Sequence, residues 1–229
     1  VLTEKGAMYV NYYGASEANT RTPEGKAIFL KQTTEYPKNG SIKLEISSLA
    51  QAERFTLNLR IPTWSKQALV KVNGEPVQTA KSGEYFAIER DWKQGDTVWI
   101  ELDMGVHFWQ GESTFEGRVS AYYGPILLTL DEKVAPDNTV ANTRFNASDF
   151  ENVIVTDARE DDHWMYFDVK DVNGRTVRLV DFASCGQYVD GEPGDYSTWL
   201  KIDSEDLPVL VVGEGAPVAW DNMLPHSIT

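Results

Sequence analysis

The chain is nearly without cysteine and histidine, and these two scarcities exclude most thiol-based and metal-centred chemistry. Of its 229 residues one is cysteine, Cys185, and three are histidine. A single cysteine cannot form an internal disulfide or a cysteine-rich zinc site. The histidines His107, His163 and His226 fit no His-x-x-x-His spacing, so a transition-metal site would need three distant loops to converge. We therefore interpret the histidines as ordinary surface or loop residues.

Long apolar runs and long helical patterns are also scarce. No apolar run approaches the roughly 20 residues needed to cross a bilayer, and the first residues lack the charged and apolar regions of a signal peptide. The best helical stretch, Ser47–Arg54, predicts no more than one or two turns between strands. Because the sequence starts at Val1, we interpret that end as a fragment boundary. A signal peptide on the parent would place the protein in the periplasm or outside the cell, and without one it would be cytoplasmic.

Basic residues are the minority among the charges. The chain has 21 lysines and arginines against 35 aspartates and glutamates, a formal net charge of -14. Nucleic acids and anionic membrane surfaces are themselves polyanions and would be repelled. We therefore expect neither nucleic acid nor a membrane among the partners.

Alternating apolar residues dominate the rest of the chain and predict β-strands. In Phe55–Ile61 every second residue is apolar, the pattern of a strand with one buried face, and Pro62 ends it. Asn73-Gly74 separates two short alternating runs, and this dipeptide supplies the positive φ angles of a tight hairpin. Asn173-Gly174, within residues 171–175, predicts a second hairpin for the same reason. Similar runs follow at Tyr85–Trp92 and Thr97–Leu102. We interpret this whole stretch as an antiparallel meander.

Strand patterns recur along the chain and predict a tandem of two domains. Further candidates lie at Met8–Tyr13, Lys26–Gln32, Ser41–Ile46, Val153–Thr156, Trp164–Val169, Thr176–Phe182 and Tyr196–Ile202. Between Leu130 and Asn142 the apolar period is lost, while proline, asparagine and aspartate accumulate. The sequence therefore predicts an all-β fold of two antiparallel, jelly-roll-like β-sandwich domains, residues 1–130 and 131–229. The second is expected to end in an irregular tail after Asp203.

Several of these segments resemble a known family. Leu59-Arg-Ile-Pro-Thr-Trp64, Val72-Asn-Gly74 and Glu89-Arg-Asp-Trp-Lys-Gln-Gly-Asp96 are similar to the β-region that follows the catalytic domain in glycoside hydrolase family 127. Characterised members of that family include β-L-arabinofuranosidases. The resemblance covers most of the first 130 residues and includes Met8–Gly14, Gln32–Pro37 and Tyr123–Leu130.

The resemblance implies that catalysis resides elsewhere. Proteins of this family have an N-terminal (α/α)6 barrel with a cysteine nucleophile, a zinc ion held by cysteines and a glutamate, and a glutamate acid/base. No residue of this chain matches those motifs: Cys185 has no neighbouring cysteine and lies at the end of a predicted strand. We expect no catalytic residue here, and zinc only in the barrel. The implied partners are that barrel and, for the parent, a second copy in a homodimer.

Two acidic loops are candidate metal sites. Asp190, Glu192 and Asp195 lie on a glycine-bent segment, and oxygen ligands on such a loop suit calcium. A second group comprises Asp157 and Glu160–Asp162. Neither follows the EF-hand pattern, and a chain this acidic gathers carboxylates by chance, so solvated loops remain the alternative. A glycosidase acid and base need a separation of about 5 to 10 Å, which sequence spacing cannot certify.

Seven tryptophans suggest an alternative function, carbohydrate binding, because aromatic rings stack on the faces of sugars. Trp64 and Trp92 stand at strand ends and are interpreted as core. Trp99 alternates with the apolar residues of its strand and is expected to be exposed, and Trp109 lies in an irregular segment. Trp99 and Trp109 are the candidate residues of a carbohydrate-binding module for plant oligosaccharides. Contact with the barrel or a sister domain is the interpretation we prefer for them.

Overall fold

The chain forms two compact units built from strands. A computed structural model describes residues 1–4, 6–135, 137–157, 163–186 and 195–203. Within these residues the first unit comprises Val1–Asp103 and the second residues 104–203. The predicted all-β class is confirmed, since helix is limited there to short 3-10 turns. No helix in the described ranges is long and apolar enough to cross a membrane.

The first unit is a β-sandwich with ten strands in its described residues. One sheet has the order β1-β2-β6-β9 and the other β3-β4-β5-β10-β7-β8. All neighbouring strands are antiparallel except β2 and β6, which are parallel. The strands are β1 Leu2–Glu4, β2 Ala7–Val10, β3 Ser16–Arg21, β4 Ala27–Thr34, β5 Ser41–Leu49, β6 Glu53–Arg60, β7 Gln67–Val72, β8 Glu75–Lys81, β9 Tyr85–Trp92 and β10 Thr97–Leu102.

Alternation in the sequence decides which face of each sheet is buried. On β6, Leu57 and Leu59 point into the core, and on β10, Val98 and Ile100 do so from the other sheet. All four side chains are at most 2% exposed. Burying a side chain of this size stabilises the fold by about 1.5–3 kcal/mol. Apolar residues from both sheets form one core, the arrangement expected of a sandwich.

Tight turns fix the register between neighbouring strands. The predicted hairpin at Asn73-Gly74 is confirmed: β7 pairs with β8, and the two turn residues have φ angles of 53° and 88°. Positive φ at both positions is the backbone of the turn that suits the strand twist, and asparagine and glycine adopt it most readily.

Two predictions for this unit were wrong. The stretch from Phe55 to Leu102 is no simple meander, because β6 and β9 pair in one sheet while β7, β8 and β10 lie in the other. Alternation reports which face of a strand is buried, and it carries no information about which sheet the strand joins. Ser47–Arg54 belongs mainly to β5 and β6 and not to a helix. Leu49, 4% exposed, anchors the end of β5 in the core, and this burial outweighs a weak helical preference.

The second unit is built on one continuous sheet. Within its described residues the order is β11-β12-β13-β16-β15-β14, and two short strands join β12 and β13. The strands are β11 Val106–Gln110, β12 Arg118–Tyr123, β13 Ile126–Asp131, β14 Ile154–Asp157, β15 Met165–Lys170, β16 Thr176–Asp181, β17 Tyr196–Ser197 and β18 Leu200–Lys201. Short 3-10 turns cover Ser113–Phe115, Ala147–Asn152 and Phe182–Ser184.

The compact units divide at a different place from the predicted boundary. The division falls between Asp103 and Met104, whereas the sequence placed it after Leu130. Strands β11, β12 and β13 pair with one another, and β13 continues into β16, so all of them belong to the second unit. The proline- and asparagine-rich stretch is therefore a long connection inside that unit. Local composition marks a loop in the same way whether the loop joins two domains or lies within one domain.

Candidate functional site

Buried carboxylates in the first unit hold turns together. Glu53, 4% exposed, accepts hydrogen bonds from the hydroxyl of Thr22 at 2.7 Å and from the backbone N–H of Glu24 at 3.2 Å. Asp96 accepts from the side chain of Asn73 at 2.8 Å and from the backbone N–H of Lys93 at 3.0 Å. Each is satisfied by donors of a loop, so these two acids are structural.

The second unit uses the buried aspartates Asp131, Asp171 and Asp181 in the same way. Asp181 accepts from the hydroxyl of Ser184 at 2.7 Å and from two backbone N–H groups, those of Ser184 and Met165. Asp131 accepts from the backbone N–H groups of Lys133 and Gly186. These contacts tie the ends of β13 and β16 to neighbouring loops and to the start of β15.

Asp171 closes the turn of a predicted hairpin. That hairpin is confirmed, because β15 pairs with β16 across residues 171–175. Burial alone would raise the pKa of Asp171, but hydrogen bonds from the side chain and backbone of Arg175 and from Asn173 outweigh it and lower the pKa. The Arg175 guanidinium donates to one carboxylate oxygen at 2.8 and 2.6 Å. The carboxylate is therefore held ionised as a structural anion.

Metal sites predicted from sequence are not assembled by the described residues. No group of three or more histidine, cysteine, aspartate or glutamate side chains there could hold a metal ion. Asp190, Glu192 and Glu160–Asp162 lie outside the described residues. Asp195 is exposed, and its backbone carbonyl accepts a hydrogen bond from Glu132 at 3.0 Å. Calcium at Asp190, Glu192 and Asp195 stays a prediction, as does zinc in a separate barrel.

The thiol of Cys185 has the wrong environment for a nucleophile. Burial raises the pKa of this thiol, and the nearby carboxylates of Asp131 and Asp181 raise it further. The reactive form of cysteine is the thiolate, which a reactive site must favour. Cys185 is therefore held as a thiol.

The tryptophans divide between the core and the surface. Trp92 is fully buried and donates from its indole nitrogen to the backbone oxygen of Phe55 at 3.1 Å, while Trp64 packs partly buried against the first core. Trp99 and Trp109 are each 42% exposed. The alternation of β10 predicts the exposure of Trp99. Trp220 lies outside the described residues.

Trp99 stands on the outer face of the six-stranded sheet between two lysines. Its register partners are Lys43 on β5 and Lys71 on β7. The ammonium of Lys43 is 3.1 Å from the carboxylate of Glu45. Leu69, 53% exposed, points to the same side two residues before Lys71. The result is an apolar spot rimmed by charges, which we call the Trp99 patch (Lys43, Leu69, Lys71 and Trp99).

Trp109 lies on β11, at the edge of the second unit's sheet. It is opposite Ser120, and on the same face the ring of His107 stacks on Tyr122 with centroids 5.4 Å apart. Burial raises the pKa of the Tyr122 hydroxyl. This face presents aromatic surface, but Trp109 belongs to a different unit from Trp99, and the two are described separately.

Sequence reasoning missed a polar surface on the outer face of the four-stranded sheet. We call it the Asn58 face and define it by Tyr9, Asn58, Arg60, Tyr85 and Ala87. Tyr9 and Ala87 are the register partners of Asn58, and Tyr85 is the partner of Arg60. The alternation of β6 placed Asn58 and Arg60 outward, but nothing in the sequence showed which strands flank them. The signal could only have come from the tertiary pairing.

Residues of the family-like motifs meet at one end of the first unit. The rings of Tyr36 and Trp64 are stacked with centroids 6.5 Å apart, and Tyr13 contacts Tyr36 edge-on. The hydroxyl of Tyr13 donates to the backbone oxygen of Arg60 at 2.8 Å. Burial is the main cause that raises the pKa of Tyr13. Three stretches far apart in sequence thus form one aromatic cluster.

Comparison with known proteins agrees with this fold. Residues 7–104 match the family model described as Beta-L-arabinofuranosidase, GH127 middle domain. This range nearly coincides with the first unit. No curated protein matches the chain.

Solved structures extend the likeness to both units. The chain is similar to a glycoside hydrolase with 23% identity and a TM-score of 0.72, covering 86% of this chain and 36% of that one. It is similar to a GH127 β-arabinofuranosidase with 28% identity and a TM-score of 0.69, covering 87% and 35%. A GH127 β-L-arabinofuranosidase from Geobacillus stearothermophilus T6 has 24% identity and a TM-score of 0.69, covering 88% and 34%.

The likeness is therefore to one part of these larger proteins. The chain spans about a third of the length of the solved structures that it matches. Its described residues contain strands and short turns and no barrel of helices. Residues 7–104 therefore match the model of the GH127 middle domain, and over most of its length the chain is similar to the β-rich part of these larger glycoside hydrolases.

Proposed function

We propose that this chain is the non-catalytic part of a glycosidase that acts on β-L-arabinofuranosides, and that it supports an (α/α)6 catalytic barrel. The match of residues 7–104 to the GH127 middle domain carries the proposal. The engaged carboxylates and the protonated Cys185 thiol support it, because neither offers a free acid, base or nucleophile among the described residues.

The Trp99 patch is the surface that we assign to contact with the rest of the parent protein. A large ring next to an exposed leucine, rimmed by lysines and glutamate, has the composition of an interface centre. A second copy of the parent is the other partner that this surface would suit. Either contact would bury Trp99 and Leu69, which are 42% and 53% exposed here.

The contact can be tested by comparing one variant in two forms of the protein. Trp99→Glu combined with Leu69→Glu is introduced into the isolated chain and into the complete gene product. We expect the Tm of the isolated chain to change little, while the Tm of the complete product falls by several degrees. Ile154→Glu, at a residue 62% exposed, is the control and should affect neither form. Equal effects of the double variant on both forms would remove the Trp99 patch as the contact.

Carbohydrate binding by Trp99 and Trp109 is the second candidate function. The exposure of both rings favours it, since indoles stack on sugar faces. Titration of the chain with plant arabino-oligosaccharides should quench tryptophan fluorescence in a saturable manner, and Trp99→Ala or Trp109→Ala should reduce the change. A linear, non-saturable signal would exclude this function.

A further inference from the structure

Three asparagine-glycine pairs lie in turns of this chain, and this dipeptide is chemically labile as well as turn-forming. The pairs are Asn39-Gly40, Asn73-Gly74 and Asn173-Gly174. Because glycine has no side chain, its backbone nitrogen can approach the side-chain amide carbon of the asparagine before it. The attack needs a carboxamide that is free to rotate and a glycine backbone that can turn toward it. The hydrogen bonds and packing of each turn therefore decide which pair reacts.

Asn73 is held at both ends of its carboxamide. Its Nδ2 donates to the carboxylate of Asp96 at 2.8 Å, and its Oδ1 accepts from the backbone N–H of Thr97 at 2.9 Å. The bond to Asp96, which is 2% exposed, is charge-assisted and therefore of the stronger kind. Conversion of Asn73 to an acid would also bring a second carboxylate against that of Asp96, and like charges repel. The fold thus protects Asn73 although this residue is exposed.

Asn39 is held in the same way, and its glycine is fixed as well. Its Nδ2 donates to Glu35 at 3.2 Å, and its Oδ1 accepts from the backbone N–H of Ser41 at 3.1 Å. Gly40 is buried, and its carbonyl accepts from the backbone N–H of Leu102 at 2.9 Å. A Cβ atom placed on Gly40 would clash with the backbone oxygen of Leu102. The Gly40 nitrogen therefore cannot turn toward Asn39 without breaking this packing.

Asn173 is the loosely held asparagine of the three. It is exposed, as is Gly174, and a Cβ atom placed on Gly174 would meet nothing within 4 Å. The one hydrogen bond that its carboxamide makes to the described residues is long, 3.4 Å to Asp171. The same oxygen of Asp171 already accepts from Arg175 at 2.8 and 2.6 Å. The backbone N–H of Gly174 donates to the carbonyl of Asp171 at 2.8 Å, so one turn hydrogen bond must open before the attack.

We propose that Asn173 is a modification site at which asparagine converts spontaneously to isoaspartate, whereas the fold protects Asn39 and Asn73. The Gly174 nitrogen loses its proton and bonds to the Cγ atom of Asn173, and the amide nitrogen takes up a proton and leaves as ammonia. Solvent water then opens the resulting cyclic imide at either carbonyl, which gives isoaspartate or aspartate. The reaction consumes water, releases ammonia and needs no oxidant. It does not depend on what the parent protein hydrolyses.

Peptide mapping by mass spectrometry tests the proposal, after incubation of the folded chain and of the urea-unfolded chain at mildly alkaline pH. In the folded chain Asn173 should convert about tenfold faster than Asn73 or Asn39, a difference that corresponds to about 1.4 kcal/mol. In urea the three asparagines should react at similar rates, because the turns that distinguish them are lost. Equal rates in the folded chain, or the same differences in urea, would overturn the assignment.

Asn173→Gln gives an independent measurement on the folded chain. Glutamine would have to close a larger ring and therefore cyclises far more slowly. This variant should remove most of the ammonia that the folded chain releases, whereas Asn39→Gln, the matched control, should leave the release unchanged. Circular dichroism checks that both variants remain folded. Unchanged release from Asn173→Gln, or an equal loss in both variants, would contradict the site.

Discussion

The two units use buried carboxylates to hold loops, and the second unit relies on them more. In the second unit the buried aspartates Asp131, Asp171 and Asp181 each bind loop donors, and they fix connections that have little regular structure. The first unit has such residues too: Glu53 and Asp96 each accept hydrogen bonds from a turn or loop. The difference teaches that the unit with the longer connections depends more on buried acceptors to hold them.

The connections show the same contrast. In the first unit the strands are joined mostly by short turns, as at Asn73-Gly74. In the second unit a long connection follows β13, and it places Phe145 and Phe150 in the core at 0% and 1% exposure. The backbone N–H of Phe145 donates to the carbonyl of Lys201 at 2.9 Å. The second unit therefore depends on its loops for both packing and hydrogen bonds.

The largest expected effect tests whether the two cores are energetically separate. Trp92→Ala should lower the free energy of unfolding of the first unit by about 4 kcal/mol, because it opens a cavity and leaves the oxygen of Phe55 unpaired. Amide hydrogen exchange measured strand by strand should show the loss in β6 and β9. Exchange in β15 and β16 should stay as in the unaltered chain, and a loss there of equal size would refute separate cores.

Removing one buried aspartate should affect the second unit alone. Asp181→Ala leaves two backbone N–H groups and the hydroxyl of Ser184 without their acceptor, and should cost about 3 kcal/mol. Chemical denaturation measures the change. Asp168→Ala is the control: Asp168 pairs with the exposed guanidinium of Arg178, so its loss should cost less than about 1 kcal/mol. Similar costs for the two variants would contradict the loop-fixing role of Asp181.

Acid should weaken the second unit through Asp171. The pKa of this carboxyl in the folded chain is lowered from its ordinary value of 3.8, so its contribution is complete above that pH and is lost as the pH falls through the folded value. The stability difference between the unaltered chain and Asp171→Asn should be constant near neutral pH and shrink below about pH 4. Unfolding curves at several pH values measure this stability difference. A difference that grows in acid would contradict a lowered pKa of Asp171 in the folded chain.

The smallest expected effect concerns the surface. Trp99→Ala should change the stability of the isolated chain by less than about 0.5 kcal/mol, because the ring is 42% exposed and lies outside the core. Thermal unfolding of the two chains side by side measures the difference. A cost above about 2 kcal/mol would show that Trp99 packs within the first unit.

The sequence predicted strands well and their partners poorly. Alternation identified the buried faces of β6 and β10 and the exposure of Trp99, and asparagine-glycine pairs located two hairpins, because these signals are local. The assignment of β6 and β7 to different sheets depends on distant pairing and was missed. The Asn58 face was missed for the same reason, since Tyr9, Asn58 and Tyr85 come from three strands that only the fold brings together.

The central proposal is that this chain is the non-catalytic part of a glycosidase whose catalytic residues lie outside it. The most direct test is hydrolysis of an aryl β-L-arabinofuranoside by the isolated chain and by the complete gene product, each with added zinc and reductant. The account predicts turnover by the complete product and none by the isolated chain. Turnover by the isolated chain at a comparable rate would contradict it and would place a catalytic centre among these residues.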